Sequence, residues 1–181
     1  MARKNSVGCA TQTKTYINRR QLLGGAAATA GFFIVPRYVL GGRGNQPPSE
    51  KLNIAGIGLG AMGAFNLKAC AAKENIVALC DVDWDMASVT FNRYPNAKRY
   101  KDYRRMLDKE DSIDAVIVAT PDHTHAVITA AAMKRGKHVY TQMPFAHDVW
   151  EARQLVKIAR ETGVATQMGN ERYSAPTVRT T

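Results

Sequence analysis

Residues 52–63 read LNIAGIGLGAMG. The first six are a short apolar run of the kind that forms a buried strand. The next six, Gly58-Leu59-Gly60-Ala61-Met62-Gly63, fit the pattern G-x-G-x-x-G. Each glycine has a physical task in such a bend. Gly58 permits the tight turn out of the strand. Gly60 lets backbone approach a pyrophosphate where a β-carbon would collide, and Gly63 lets the following helix lie against the sheet. That helix, expected over 61–72, points its N-terminal N–H groups and the positive end of its dipole at the phosphates. Leu59, Ala61 and Met62 complete the backbone of the cradle.

The glycine spacing alone is not specific, and its context supplies the rest. A second apolar run, 76–80, ends at Asp81, which lies 21 residues after Gly60. That is close to the spacing expected for a carboxylate that binds the ribose of a dinucleotide. An acid there attracts the free hydroxyls of NAD and repels the 2′-phosphate of NADP. The plainer reading is that Asp81 only ends a strand, while Asp83 shares its role or caps the next helix.

The alternation continues along the chain. Helices are expected over 83–93, 102–107, 123–135 and 148–162, and strands over 98–100, 113–119, 137–141 and 164–168. In the last helix Asp148 is the N-cap, Glu151 holds the capping-box position and Gly163 follows the end. Strands alternating with helices of this length give an α/β fold with a Rossmann-type, doubly wound parallel sheet. Ligands on such sheets lie at the carboxyl ends of the strands.

The formal charge of +10 raises the question of nucleic acid. Residues 1–50 carry 7 Lys/Arg against one acid, and residues 51–181 carry 18 against 14. Most of the excess is therefore in the leader. The remainder, including Lys98, Arg99, Lys101, Arg104 and Arg105, is mixed with acids and reads as a solvated helix face, so no nucleic-acid partner is expected. The three cysteines, Cys9, Cys70 and Cys80, form no C-x-x-C pair, so neither a zinc site nor a disulfide framework is expected. Cys70 and Cys80 read as small core residues.

Residues 1–36 look like an export signal. Arg19-Arg20 follows a basic, polar start and precedes an apolar segment, 22–35, of 14 residues. That is too short to cross a bilayer, which needs roughly 20. The pattern resembles a twin-arginine signal, an address read by the twin-arginine translocation machinery and separate from the fold. It implies a periplasmic location, or a membrane tether if the leader is not cleaved. Residues 37–50, rich in Gly and Pro, read as a linker.

Three stretches now combine: GIGLGAMG at 56–63, CDVD at 80–83, and ATPDHTH at 119–125 followed by GKHVY at 136–140. Together they resemble the Gfo/Idh/MocA family of NAD(P)-dependent oxidoreductases, over 51–174. The resemblance implies a Rossmann-type first domain and a second α/β domain, with hydride transfer between a nicotinamide and a sugar- or polyol-type substrate. By position, Gly58, Gly60 and Gly63 would cradle the pyrophosphate and Asp81 would hold the ribose, with NAD preferred over NADP. Thr120, Pro121 and Asp122 would lie along the nicotinamide side, with His125 and Gln142 beside them. Asp122 is also read as a helix N-cap. His125 is read as a structural or cofactor-side hydrogen-bonder and not as an acid–base catalyst. Positions i and i+2 of a helix point to nearly opposite faces, so His123 and His125 do not share a metal ion.

One position departs from the family. Where the strand ending at 141 usually runs into Glu-Lys-Pro, this chain has Gln142-Met143-Pro144. Pro144 keeps the option of a cis turn. Met143 cannot donate a proton or stabilise an alkoxide. Either other groups do the acid–base work, or hydride chemistry is weakened while nucleotide binding remains, so the catalytic residues stay unassigned. An NAD-dependent glycosidase on the same fold, or a nucleotide-binding remnant, are the other readings. Residues 175–181 would begin the second domain, so the sequence is expected to be truncated before it. A homo-oligomer stays open.

Overall fold

The computed structural model describes residues 47–170. The leader, most of the linker, and residues 171–181 lie outside the described residues, so the expectations for them are not addressed by it. A 3₁₀ turn at Pro48–Glu50 enters the domain.

Six strands follow: β1 (Asn53–Ile57), β2 (Asn75–Cys80), β3 (Lys98–Tyr100), β4 (Ala115–Val118), β5 (His138–Thr141) and β6 (Thr166–Met168). They form one sheet in the order β3-β2-β1-β4-β5-β6, and every pairing is parallel. The connecting helices are α1 (Ala61–Cys70), α2 (Trp84–Arg93), α3 (Tyr103–Lys109), α4 (His125–Met133) and α5 (Val149–Thr162). The doubly wound α/β fold expected from the sequence is present.

The central strands are apolar on both faces because both are covered. Side chains alternate across a strand, and along β4 they divide cleanly. Val116 and Val118 join the core under α3, α4 and α5, with Met106, Ala126, Met133, Leu155 and Ile158. Ile117 joins the opposite core, with Leu67 from α1 and Ala87 and Phe91 from α2. The chain winds outward from β1 to β3, then returns to the other side of β1 to begin β4. The strand order therefore reverses between β1 and β4, and the loops leaving their carboxyl ends diverge. A crevice opens there.

Local signals set most of the helix ends. Asp83 caps α2 by accepting the N–H groups of Asp85 and Met86. Asp102 caps α3 through the N–H of Arg104. Asp148 caps α5 through the N–H of Glu151, at 2.7 Å, and Glu151 accepts the N–H of His147, at 2.8 Å. The reciprocal bond thus falls one residue before the cap. Gly163 ends α5 with φ of 68°, the left-handed conformation that glycine adopts without strain.

Two expectations are corrected. Asp122 does not cap a helix. Residues Asp122–Thr124 form a 3₁₀ turn with no side-chain cap, and α4 begins only at His125. Here the Thr124 hydroxyl donates to the Pro121 carbonyl at 2.7 Å and lies 2.8 Å from the Thr120 hydroxyl, which holds the tighter turn. The basic residues around 98–105 do not form one helix face either. Lys98 and Arg99 are on β3. Lys98 bonds both carboxylate oxygens of the buried Glu110, at 2.9 and 2.8 Å, and the Tyr100 hydroxyl donates to the same group. Of the two cysteines described, Cys80 is buried and Cys70 is only half-buried.

Candidate functional site

The site is assembled where β1, β2 and β4 end. The glycine bend leaves β1 with Gly58 at φ of +81°, and its N–H donates to the Cys80 carbonyl at 2.9 Å. A β-carbon on Gly58 would stand 2.5 Å from the Ala119 carbonyl oxygen. A β-carbon on Gly63 would stand 1.9 Å from the Gly58 carbonyl oxygen. These two glycines therefore let α1, the bend and the β4 end close on one another. Gly60 differs: a β-carbon there meets no atom within 4 Å. Its lack of a side chain answers no protein neighbour, which is what a cradle for an external group requires.

Gly60 is also the N-cap of α1, with no side chain capping it. The first N–H groups of a helix have no partner within it. Those of Ala61, Met62 and Gly63 thus converge with the helix dipole on the open space beside Gly60. This arrangement fits a pyrophosphate.

Asp81 lies beside the bend and is tied to it. Its Oδ2 accepts the N–H of Leu59 at 2.7 Å and its Oδ1 accepts the N–H of Asp83 at 3.0 Å. The Thr90 hydroxyl on α2 donates to the Leu59 carbonyl at 3.1 Å, and the Leu59 side chain is buried in the core. Leu59 is thus an anchor for the bend. A carboxylate has about four acceptor positions, so two bonds leave Asp81 capacity for ribose hydroxyls. Asp83, by contrast, is engaged in capping.

Two clefts flank the N-terminus of α1. The larger, about 720 Å³, runs from Gly58, Gly60 and Asp81 to Lys101, Arg104 and Thr120. The second, about 550 Å³, is walled by Met62, Phe65 and Met143, with Asp122, His125 and Gln142 around it. Ala119 and Thr120 line both, so one elongated ligand can pass from one to the other.

The ends of β4 and β5 are joined through His125. The ring is buried, with Nδ1 2.6 Å from the Pro144 carbonyl oxygen and Nε2 2.7 Å from the Thr120 carbonyl oxygen. Both ring nitrogens face backbone carbonyls, so neither is turned toward a substrate. His123, two residues earlier, is exposed in the larger cleft, so the two histidines diverge. No metal-ligating cluster of three or more residues is found among the described residues.

The Met143-Pro144 peptide bond is cis. Gln142 is buried: its N–H donates to the Val118 carbonyl at 2.9 Å, and its side-chain oxygen accepts the Met143 N–H at 3.3 Å. Met143 is 53% exposed and faces the second cleft. Burial pushes the Cys80 thiol up to about 12, with Asp81 and Asp102 adding to the shift, so this sulfur is held neutral under the site.

The model of the Gfo/Idh/MocA oxidoreductase family, an NAD-binding Rossmann fold, matches residues 52–170. The chain belongs to this family. Among its relatives, glycosyl hydrolase family 109 protein 1 of Akkermansia muciniphila is 30% identical over 138 residues, 70% of this chain and 28% of that protein. The crystal structure of myo-inositol 2-dehydrogenase from Lactobacillus plantarum superposes with a TM-score of 0.67 at 27% identity, covering 72% of this chain and 40% of that one. The structure of GenD2, from gentamicin A biosynthesis, in complex with NAD gives a TM-score of 0.67 at 28% identity, covering 79% and 39%. The chain thus spans well under half the length of these relatives.

Sequence reasoning missed the Leu59–Asp81 bond, the His125 bridge and the placement of Lys101 and Arg104 in the larger cleft. One signal for the last was available. In parallel strands, residues that follow neighbouring strand ends fall side by side, and Lys101 follows β3 as Asp81 follows β2.

Proposed function

We propose that this Gfo/Idh/MocA domain holds NAD, preferred over NADP, for an exported oxidoreductase acting on a sugar- or polyol-type substrate. One observation carries the reading: an uncapped helix start beside a glycine with open space, next to a carboxylate at the neighbouring strand end. The N–H groups of Ala61, Met62 and Gly63 bind the pyrophosphate, and Asp81 takes the ribose hydroxyls with its remaining lone pairs. Thr120, Pro121 and Asp122 border the nicotinamide, and Gln142 and Met143 close that end.

When bound, NAD supplies a hydride acceptor. The chain's own contribution is orientation and exclusion of water. Met62, Phe65 and Met143 present an apolar wall, and His125 fixes the distance between the β4 and β5 ends. None of these groups exchanges a proton with the substrate, so the acid–base group comes from elsewhere in the active protein, or turnover is slow. Losing one such group typically costs about 10²–10⁴ in rate. The reading for residues 1–36 is delivery by the twin-arginine route to the periplasm, with a membrane tether where the leader is retained.

Calorimetric titration of the purified chain with NAD tests the core of this reading; no heat at millimolar nucleotide defeats it. The 30% identity to a family 109 glycosyl hydrolase favours a second reading, cleavage of a glycoside with bound NAD regenerated. Net NADH release from a polyol supports the dehydrogenase. Glycoside cleavage without net NAD consumption supports the hydrolase.

A further inference from the structure

The residue that follows β6, Gly169, is buried. Thr141 pairs with Met168, so the residues after them, Gln142 and Gly169, lie side by side. The approach is close. A β-carbon on Gly169 would stand 2.1 Å from Gln142 Oε1, 2.7 Å from the Tyr140 hydroxyl oxygen and 3.0 Å from Gln142 Cδ. The backbone here does not ask for glycine, since the described glycines with positive φ are Gly58, Gly136 and Gly163. What position 169 requires is the room a side chain would take.

The Gln142 carboxamide uses that room. Gln142 is only 6% exposed, although it belongs to the wall of the 550 Å³ cleft with Met62, Phe65 and Met143. Its long side chain therefore lies back against the end of β6 and not across the cleft. The backbone on either side is tied and cannot separate to relieve a clash. The Gly169 N–H donates to the Thr141 carbonyl at 2.7 Å, and the Gln142 N–H donates to the Val118 carbonyl at 2.9 Å. These bonds join the ends of β4, β5 and β6. The Thr141 hydroxyl, 2.6 Å from that of Thr129 on α4, holds the middle one from below. A methyl added at 169 thus displaces the nearest flexible group, the carboxamide, and the open volume beside it is the cleft.

We propose that Gly169 is a positioning residue for the nicotinamide end of the cofactor: it leaves the Gln142 carboxamide a place against β6 and so keeps that group out of the cleft. This rests on the dinucleotide reading above. Gly169 acts only through Gln142 and does not touch the ligand itself. Gly60 and Gly169 thus serve opposite ends of one elongated molecule by different means. Gly60 yields space to the ligand directly, whereas Gly169 yields it to a neighbour that would otherwise stand where the ring lies.

The test is calorimetry on the full chain with NAD and with ADP-ribose, which has the pyrophosphate and the riboses but no nicotinamide. Gly169→Ala should raise the NAD dissociation constant at least about tenfold, the scale of a side chain forced into an occupied space, and that of ADP-ribose by less than about twofold. In the Gln142→Ala background no carboxamide is left to displace. There the same glycine change should move the ratio of the two constants by less than about twofold, the usual limit of additivity. Thermal melts accompany each titration. If Gly169→Ala alone does not fold, adding Gln142→Ala should restore the fold, and a double variant that stays unfolded overturns the proposal. An unchanged ratio in Gly169→Ala, the mark of a purely structural role, overturns it and leaves the NAD reading intact. So does a shift that persists without the Gln142 carboxamide. Failure of the wild type to bind either ligand defeats both readings.

Discussion

Gly60 and Gly63 are three residues apart in one motif, yet the structure gives them opposite consequences. Replacing Gly63 by alanine puts a β-carbon 1.9 Å from the Gly58 carbonyl oxygen, which is backbone and cannot swing away. Either α1 or the bend must move. Overpacking of this kind costs typically ~1–3 kcal/mol, and a backbone clash lies at the upper end. For a domain of this size, ~3 kcal/mol lowers the melting temperature by roughly 10 °C. Replacing Gly60 by alanine meets nothing within 4 Å, at a φ of −65° that alanine adopts freely. Stability should hold or rise by ~0.4–1 kcal/mol, because the unfolded chain loses freedom. The new methyl nevertheless occupies the space assigned to a pyrophosphate. Losing a charge-assisted hydrogen bond, worth ~1.5–3 kcal/mol, weakens NAD by roughly 10- to 150-fold. Thermal melts and calorimetry on the two variants separate these effects. A Gly60→Ala protein that melts normally and binds NAD as tightly as wild type would show that the open space is not where the phosphates lie.

Asp81→Ala should weaken NAD more than NADP and also lower the melting temperature, since Leu59 loses its acceptor; equal loss of both nucleotides would remove the ribose assignment. Cys80 and Tyr100 both have pKa values raised to about 12, Cys80 by burial and Tyr100 chiefly by its bond to Glu110. Both groups keep their protons in the folded state when the unfolded chain has begun to lose them. Their contribution is therefore complete below pH 9 and is lost as pH rises toward 12, so stability should fall across that window and fall less steeply in Cys80→Ala, measured by denaturation at each pH. His125→Phe removes the ring nitrogens that bridge the Thr120 and Pro144 carbonyls, so hydrogen exchange should quicken around 119–121 and 142–145. Arg19→Lys with Arg20→Lys should hold a reporter fusion in the cytoplasm, and normal export of that double variant would rule out the twin-arginine route.

The resemblance to relatives sharpened the site, but much of the fold was legible without it. Strand and helix order followed from short apolar runs alternating with longer helical segments, and most boundaries fell within two residues. The two errors have different causes. At 122–125 a hydroxyl and a proline set the geometry, so a 3₁₀ turn replaced the first turn of a capped helix. At 98–105 the charge pattern was read as a helix face, although β3 is three residues long and is defined mainly by its pairing with β2.

The amino-acid sequence by itself determined the alternation of elements, the tasks of Gly58 and Gly63, and the spacing that brings an acid to the second strand end. These are local properties, fixed by periodicity and by what a missing β-carbon allows. Only the tertiary structure decided that Asp81 grips the Leu59 N–H, that both nitrogens of His125 are taken by carbonyls, and that Lys101 stands beside Asp81. Those contacts depend on which strands lie side by side and on how the loops leave them; apart from His125 and Thr120, the partners lie 19 to 22 positions apart and carry no local sign of that neighbourhood.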